Sequence, residues 1–186
     1  MVWLALHHRT TISSSTTIIM KNIMKLLWCT NGGLGLLPKA PGTWGSLKPL
    51  IAILILGHFG APIAVTIGVL LVIIIVSSYV TITLEPWYTQ YFGKKDPSQV
   101  VSDEAAGQSI ALLGMAWLEP ENHASPAIWI ALAVYAFALF RLFDIWKPQL
   151  IDQAQKYPRG WGVLMDDVYA GIAAGILVGI AAVLIG

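Results

Sequence analysis

The sequence predicts an all-α fold: a helical integral membrane bundle with about five apolar helices, whose polar motifs gather on the cytoplasmic face. Of the 186 residues, 56% are hydrophobic and 11% are charged, and the mean hydropathy is +0.71. A soluble domain carries roughly 25% charged residues, so this composition is typical of a membrane protein. Two further observations support the prediction. The apolar residues form a few long runs, and every Lys and Arg falls on one side of the path that these runs describe.

The first 20 residues differ in composition from the rest of the chain. They are rich in Ser and Thr and lack the apolar core of a signal peptide. Met20 and Met24 are plausible alternative starts. We therefore predict a disordered extension over residues 1–20 and a single domain over residues 21–186. The single cysteine, Cys29, excludes a disulfide framework within the chain and a Cys-rich metal site.

The first apolar run contains no Lys, Arg, Asp or Glu over the 36 residues from Pro49 to Leu84. Because about 20 residues span the hydrocarbon, one helix does not account for it. The turn-forming residues 57–62 divide the run into a hairpin, with a first helix from about Ser46 to Leu56 and a second from Ile63 to Leu84. Before the hairpin, residues 32–47 contain five glycines and two prolines and are predicted to form a loop. That loop is either a connector or a cradle for an anion.

Three more apolar runs follow. They extend from Ala105 to Leu118, from Ala127 to Phe140 with a continuation through Phe143, and from Val168 to Gly186. The first two have 14 residues each, which is short for a membrane crossing. We expect these two helices to be tilted, partly surrounded by protein or extended by amphipathic ends.

The distribution of cations tests this up-and-down path. If every apolar run crosses, the N-terminal loop and the segments 85–104 and 141–167 share one side of the membrane. All 11 Lys and Arg residues then fall on that side. The other side holds the turn 57–62, the loop 119–126 and the C-terminus. By the positive-inside rule, the cation-rich side is cytoplasmic.

The polar residues at the cytoplasmic ends form four clusters, which the path brings to one membrane face. They are Lys39, Thr43 and Ser46 in the Gly-rich loop; Ser102, Asp103 and Glu104 at the start of the third predicted helix; Arg141, Asp144 and Lys147 at the end of the fourth; and Asp166 and Asp167 at the start of the fifth. Carboxylates suit Mg²⁺, Lys and Arg bind phosphate oxygens, and glycines let backbone N–H groups approach an anion. This combination predicts metal-assisted phosphoryl transfer on a lipid substrate.

Simpler explanations exist for each cluster. Acids at helix starts complement the helix dipole, and Arg141 and Asp144, three residues apart, could form a local ion pair. A non-enzymatic anion or lipid carrier is a second hypothesis. Such a carrier would need cations and glycines but no carboxylate cluster, so the acids argue against it. Other phosphatase chemistries fit poorly. A histidine nucleophile is excluded because no His lies near the cation clusters, apart from those in the N-terminal extension. A cysteine nucleophile needs Arg six residues after Cys29, where this sequence has Gly35. An aspartyl-phosphate route needs a DxDxT string, which the sequence lacks.

Four strings carry a family resemblance: GLGLLPKAPGTWGSL, SDEAAGQ, FRLFDIWKP and GVLMDDVYAG. In sequence and order they resemble phosphatidylglycerophosphatase A, from about Cys29 to the C-terminus. The resemblance implies Mg²⁺-dependent hydrolysis of phosphatidylglycerophosphate to phosphatidylglycerol in the bacterial inner membrane. It implies a lipid substrate and no nucleic acid, and it leaves the oligomeric state open. Phosphatidic acid or a polyprenyl phosphate are alternative substrates. Trp161, between Gly160 and Gly162, departs from the glycine string that the family often has there.

The resemblance also assigns roles to residues of this sequence. Five acids would bind the metal: Asp103, Glu104, Asp144, Asp166 and Asp167. All of these except Asp103 would also be catalytic. Five further residues would bind the substrate phosphate: Lys39, Thr43, Ser46, Arg141 and Lys147.

Overall fold

The computed structural model describes residues 17–118, 125–147 and 157–185, and all regular structure in these ranges is helical, which confirms the all-α prediction. Residues 1–16 of the predicted extension lie outside the described residues, and residues 17–20 are helical. The helices are α1 (17–29), α2 (Pro41–His58), α3 (Ile63–Thr83), α4 (Glu85–Phe92), α5 (Ser102–Leu113), α6 (Pro126–Trp146) and α7 (Gly160–Ile185). Short 3-10 turns cover Leu34–Leu36 and Gly114–Trp117.

Three of the helices are long and apolar enough to cross a membrane. They are α3, α6 and α7, with 21, 21 and 26 residues. The predicted helix from Ala127 to Phe140 is part of a longer one, because α6 continues past Phe143 to Trp146. The sequence predicts about five apolar helices. The other two predicted apolar runs are occupied by α2 and α5, which are not among these three.

The predicted hairpin of α2 and α3 is present, with its break at residues 59–62 rather than 57–62, because α2 continues to His58. Helix α2 also begins earlier than expected. Its first residue is Pro41 rather than Ser46, so the second half of the predicted loop is helical. Proline is favoured at the first helical position because its fixed φ suits the helix. Gly45 lies within α2, where it allows the helix to pack closely on Val101, the residue before α5. A Cβ on Gly45 would lie 2.6 Å from the Cβ of Val101.

Helix α5 lies at the centre of the bundle, against α2, α3, α6 and α7. The predicted 14-residue helix starting at Ala105 instead begins at Ser102 and ends at Leu113, followed by the second 3-10 turn. Its N-terminus is held from two sides. The Ser102 hydroxyl pairs with the hydroxyl of Thr81 at 2.7 Å, and the Asn31 amide donates to the Val101 carbonyl at 2.8 Å.

Helix α7 begins at Gly160, eight residues before the predicted start at Val168. A Cβ on Gly160 would lie 2.6 Å from the carbonyl oxygen of Thr81, so this glycine allows the first turn of α7 to pack on the end of α3. As a result, Asp166 and Asp167 lie beyond the first turn of the helix. The helix-dipole explanation, which requires acids in the first turn, does not apply to them.

The main apolar core lies near the other end of the bundle. Ile53, Leu112, Trp129 and Val178 pack there, and the Trp129 indole N–H donates to the Ile53 carbonyl at 3.1 Å. This core holds α2, α5, α6 and α7 together. The ends of these helices that lie away from the core are therefore fixed relative to one another.

The thiol of Cys29 is predicted to be unreactive in the native protein. The residue is fully buried, and its Sγ donates to the Leu26 carbonyl at 3.4 Å. Burial raises the pKa of the thiol to about 11, so little of the reactive thiolate exists at pH 8. Iodoacetamide should label the denatured chain once and the native protein hardly at all, as mass spectrometry would show. Rapid labelling of the native protein would contradict this packing.

Candidate active site

Three acids from α5 and α7 meet at the N-terminal end of α5. Asp103, Glu104 and Asp167 each offer one carboxylate oxygen, and these atoms lie within 4.8 Å of one another. Asp103 and Asp167 are buried, and Glu104 is half-buried. The two helices approach closely because glycines face each other: a Cβ on Gly171 would collide with the carbonyl oxygen of Gly107. We call Asp103, Glu104 and Asp167 the acid cluster.

The acid cluster has the properties of a cation site. The Asp103 Oδ1 and Glu104 Oε2 atoms are buried and have no hydrogen-bond partner among the described residues. Burial is the main cause that raises the pKa of both carboxyl groups. A cation among them would favour the ionised forms, since an opposite charge offsets desolvation. An all-oxygen donor set fits a hard cation such as Mg²⁺ better than a thiophilic metal.

Arg141 connects α6 to α2 beside the acid cluster. Its Nη1 atom donates to Asp144 Oδ2 at 2.5 Å and to Ser46 Oγ at 3.5 Å. The predicted local ion pair of Arg141 and Asp144 therefore exists, and it is part of a larger network, because Asp144 also adjoins Asp167. The Arg141 Nε atom is buried without an acceptor among the described residues. A buried guanidinium donor of this kind is suited to an anion.

Lys147 forms the second cation–acid pair of the site. It follows the last residue of α6 with a φ of 44°, and its Nζ atom donates to Asp166 Oδ2 at 2.7 Å. Burial alone would lower the pKa of Lys147, but the hydrogen bond and charge of Asp166 outweigh it and raise the pKa. Lys147 is therefore charged at neutral pH.

The start of α2 forms the wall opposite the acid cluster. A Cβ on Gly42 would lie 2.5 Å from Glu104 Oε1 and 3.1 Å from Arg141 Nη1. Ser46 is buried, and its hydroxyl donates to the Gly42 carbonyl at 2.8 Å. Thr43 is half-buried on the same helix. The Lys39 side chain is exposed. Its backbone carbonyl accepts a hydrogen bond from Trp44 Nε1 at 3.1 Å.

The predicted site residues thus separate into three groups. Three acids form the cluster, and two acids pair with Arg141 and Lys147. Thr43 and Ser46 on α2 stand opposite, with Lys39 just before that helix. Two further residues near this site were not assigned from the sequence. Asp96, exposed on the loop before α5, lies within electrostatic range of Asp166 and Lys147. Gln108 follows Glu104 by four residues on α5, a spacing that places both on one helix face.

Comparisons with known proteins identify the family of this chain. Residues 27–182 match the family model described as phosphatidylglycerophosphatase A. A Bacteroides thetaiotaomicron protein named "Putative phosphatidylinositol-3-phosphatase" is 34% identical over 165 residues, 89% of this chain and 98% of the relative. The phosphatidylglycerophosphatase A of Haemophilus influenzae is 35% identical over 148 residues, covering 78% of this chain and 81% of the relative. The Escherichia coli protein of the same name is 36% identical over 87 residues, 46% of this chain and 45% of the relative. No solved structure matches the chain.

Proposed function

This chain belongs to the phosphatidylglycerophosphatase A family and is a phosphatase, and we propose that it hydrolyses phosphatidylglycerophosphate to phosphatidylglycerol and inorganic phosphate with the help of Mg²⁺. The observation that carries the proposal is the position of Arg141 beside the acid cluster. A cation site next to a buried donor for an anion is the arrangement that a metal-assisted phosphatase needs. Overall, the P–O bond to the glycerol oxygen breaks, a P–O bond forms to the oxygen of water, and one proton of that water ends on the glycerol oxygen.

Asp103, Glu104 and Asp167 are the residues that would hold Mg²⁺. When bound, the ion supplies positive charge that neutralises the phosphate oxygens in the transition state. The chain's own cations complete this task. Arg141 and Lys147 bind phosphate oxygens through N–H donors, and the carboxylates of Asp144 and Asp166 hold them in place.

The α2 wall would bind the other side of the phosphate. We propose that Thr43 and Ser46 offer hydroxyl donors there and that Lys39, exposed at the rim, attracts the anionic head group. The three long apolar helices support a membrane location, with the acid cluster at the end where the cations gather. We place that end at the cytoplasmic face of a bacterial inner membrane, by the positive-inside rule.

A second candidate substrate follows from the Bacteroides relative, whose name indicates action on a phosphorylated inositol lipid. The proposed contacts are made to the phosphate, and phosphate is common to both lipids. Phosphatidic acid and a polyprenyl phosphate share it as well. These lipids differ in the rest of the molecule, which the proposed contacts do not distinguish. Choosing among them as substrates therefore requires an experiment.

Phosphate release from a panel of lipids tests the proposal. Purified protein in detergent would be given phosphatidylglycerophosphate, phosphatidylinositol 3-phosphate, phosphatidic acid and a polyprenyl phosphate, each with Mg²⁺ and each with EDTA. We expect the highest kcat/KM for phosphatidylglycerophosphate, loss of activity in EDTA and recovery when Mg²⁺ is restored. Preference for the inositol lipid would support the second candidate. Equal rates with and without EDTA would contradict the metal requirement.

A further inference from the structure

Gln108 is a fully buried polar side chain on the central helix, close to the acid cluster in sequence, and it has no partner among the described residues. Its exposed fraction is 0%, and both its amide atoms, Oε1 and Nε2, lack a hydrogen-bond partner among the described residues. Leaving a buried polar group unpaired destabilises the folded protein, because the group loses its hydrogen bonds to water. The neighbouring hydroxyl does not relieve this, because Ser109 donates to the Ala105 carbonyl at 2.7 Å. A destabilising unpaired amide in the core calls for a functional explanation.

The position of Gln108 on α5 connects it to the site. Residues four apart lie on one face of a helix, and helical side chains lean toward the preceding turn. This spacing places Gln108 on the same face of α5 as Glu104, whose Oε2 atom is buried and also lacks a partner among the described residues. The Gln108 amide can donate and the Glu104 Oε2 atom can accept, and neither has a partner among the described residues, so the two groups are complementary.

We propose that Gln108 is a positioning residue of the cation site, an inference that rests on the proposed function and deepens it. When the site is occupied, its Nε2 atom donates to the Glu104 carboxylate and fixes its orientation, while its Oε1 atom accepts from a water held in the site. Groups that hydrogen-bond to metal ligands in this way typically contribute 10–100-fold, roughly, to metal affinity. In the empty site the amide has no partner, so it lowers the stability of the metal-free protein.

Replacement of Gln108 by Met tests this inference with two readouts besides activity. Met has a similar length and shape but no polar amide. The full-length protein in detergent would be titrated with Mn²⁺ alone, followed by electron paramagnetic resonance, and its melting temperature would be measured in EDTA. We expect Gln108→Met to bind Mn²⁺ roughly 10–100-fold more weakly and to melt at a higher temperature in EDTA than the unmodified protein.

Thr66 provides a matched control. Its hydroxyl is also buried without a described partner, but it lies on α3, away from the acid cluster. Thr66→Val should leave Mn²⁺ affinity unchanged. If Gln108→Met binds Mn²⁺ as tightly as the unmodified protein, the positioning role is wrong. A Gln108→Met protein that fails to fold also overturns it, because the amide would then be needed for the fold itself. Absence of Mn²⁺ binding by the unmodified protein would instead refute the proposed metal site.

Discussion

Replacing Glu104 by Gln is expected to lower kcat/KM by roughly 10³-fold, which corresponds to about 4 kcal/mol of lost transition-state stabilisation. The substitution keeps the size of the side chain and removes one of three adjoining negative charges that would hold Mg²⁺. The fold should tolerate it, because a neutral amide is less costly to bury beside Asp103 and Asp167 than a carboxylate. The melting temperature in EDTA should therefore be unchanged or raised, while phosphate release is nearly lost.

Glu85 supplies the control for this experiment. It lies at the start of α4, outside the acid cluster, and its carboxylate accepts from the Thr89 hydroxyl at 3.2 Å. Glu85→Gln makes the same chemical change and should keep nearly full activity. A Glu104→Gln enzyme with the kcat/KM of the unmodified protein would remove Glu104 from the catalytic site.

Adding one methyl group at Gly42 should have the second largest effect. The new Cβ would lie 2.5 Å from Glu104 Oε1, so the carboxylate or α2 has to move. Displacements of about 1 Å in a catalytic constellation can lower rates by about 100-fold, and we expect a loss of that size for Gly42→Ala. The helix itself should not suffer, because Ala favours a helix by about 1 kcal/mol over Gly. Kinetics and far-UV circular dichroism would separate the two effects.

Gly68 is the matched position for that substitution. It lies within α3, and a Cβ there would meet nothing within 4 Å. Gly68→Ala should retain activity. Full activity in Gly42→Ala would mean that the wall formed by α2 adapts freely, and the close approach of Gly42 to Glu104 would then have no catalytic importance.

Much of this arrangement follows from the order of apolar and polar segments. The hairpin break at residues 57–62 is visible as turn-forming residues between apolar runs. The convergence of Glu104, Arg141 and Asp166 at one end follows from the alternating direction of the helices. These features depend on composition and direction along the chain, which a sequence displays directly.

The division of labour among the acids does not follow from the sequence. Whether Asp144 joins the acid cluster or pairs with Arg141 depends on how α6 is rotated about its axis, and that rotation is set by packing against other helices. The glycines were misleading for a similar reason. Gly42 and Gly45 resemble loop residues in the sequence, but they serve close helix packing. Only the positions of neighbouring helices distinguish these two uses of glycine.

The central helix α5 also has a consequence for biogenesis. With 12 residues it is about 18 Å long, and it carries two acids and an amide, so it partitions poorly into lipid by itself. The translocon would recognise α3, α6 and α7 as membrane segments, and α5 would enter the bundle only as these helices associate. Asp103 and Glu104 would then meet Asp167 at the last stage of assembly. A nascent or truncated chain that lacks α7 would keep two of the three long apolar helices but would not form the acid cluster, because Asp167 lies on α7.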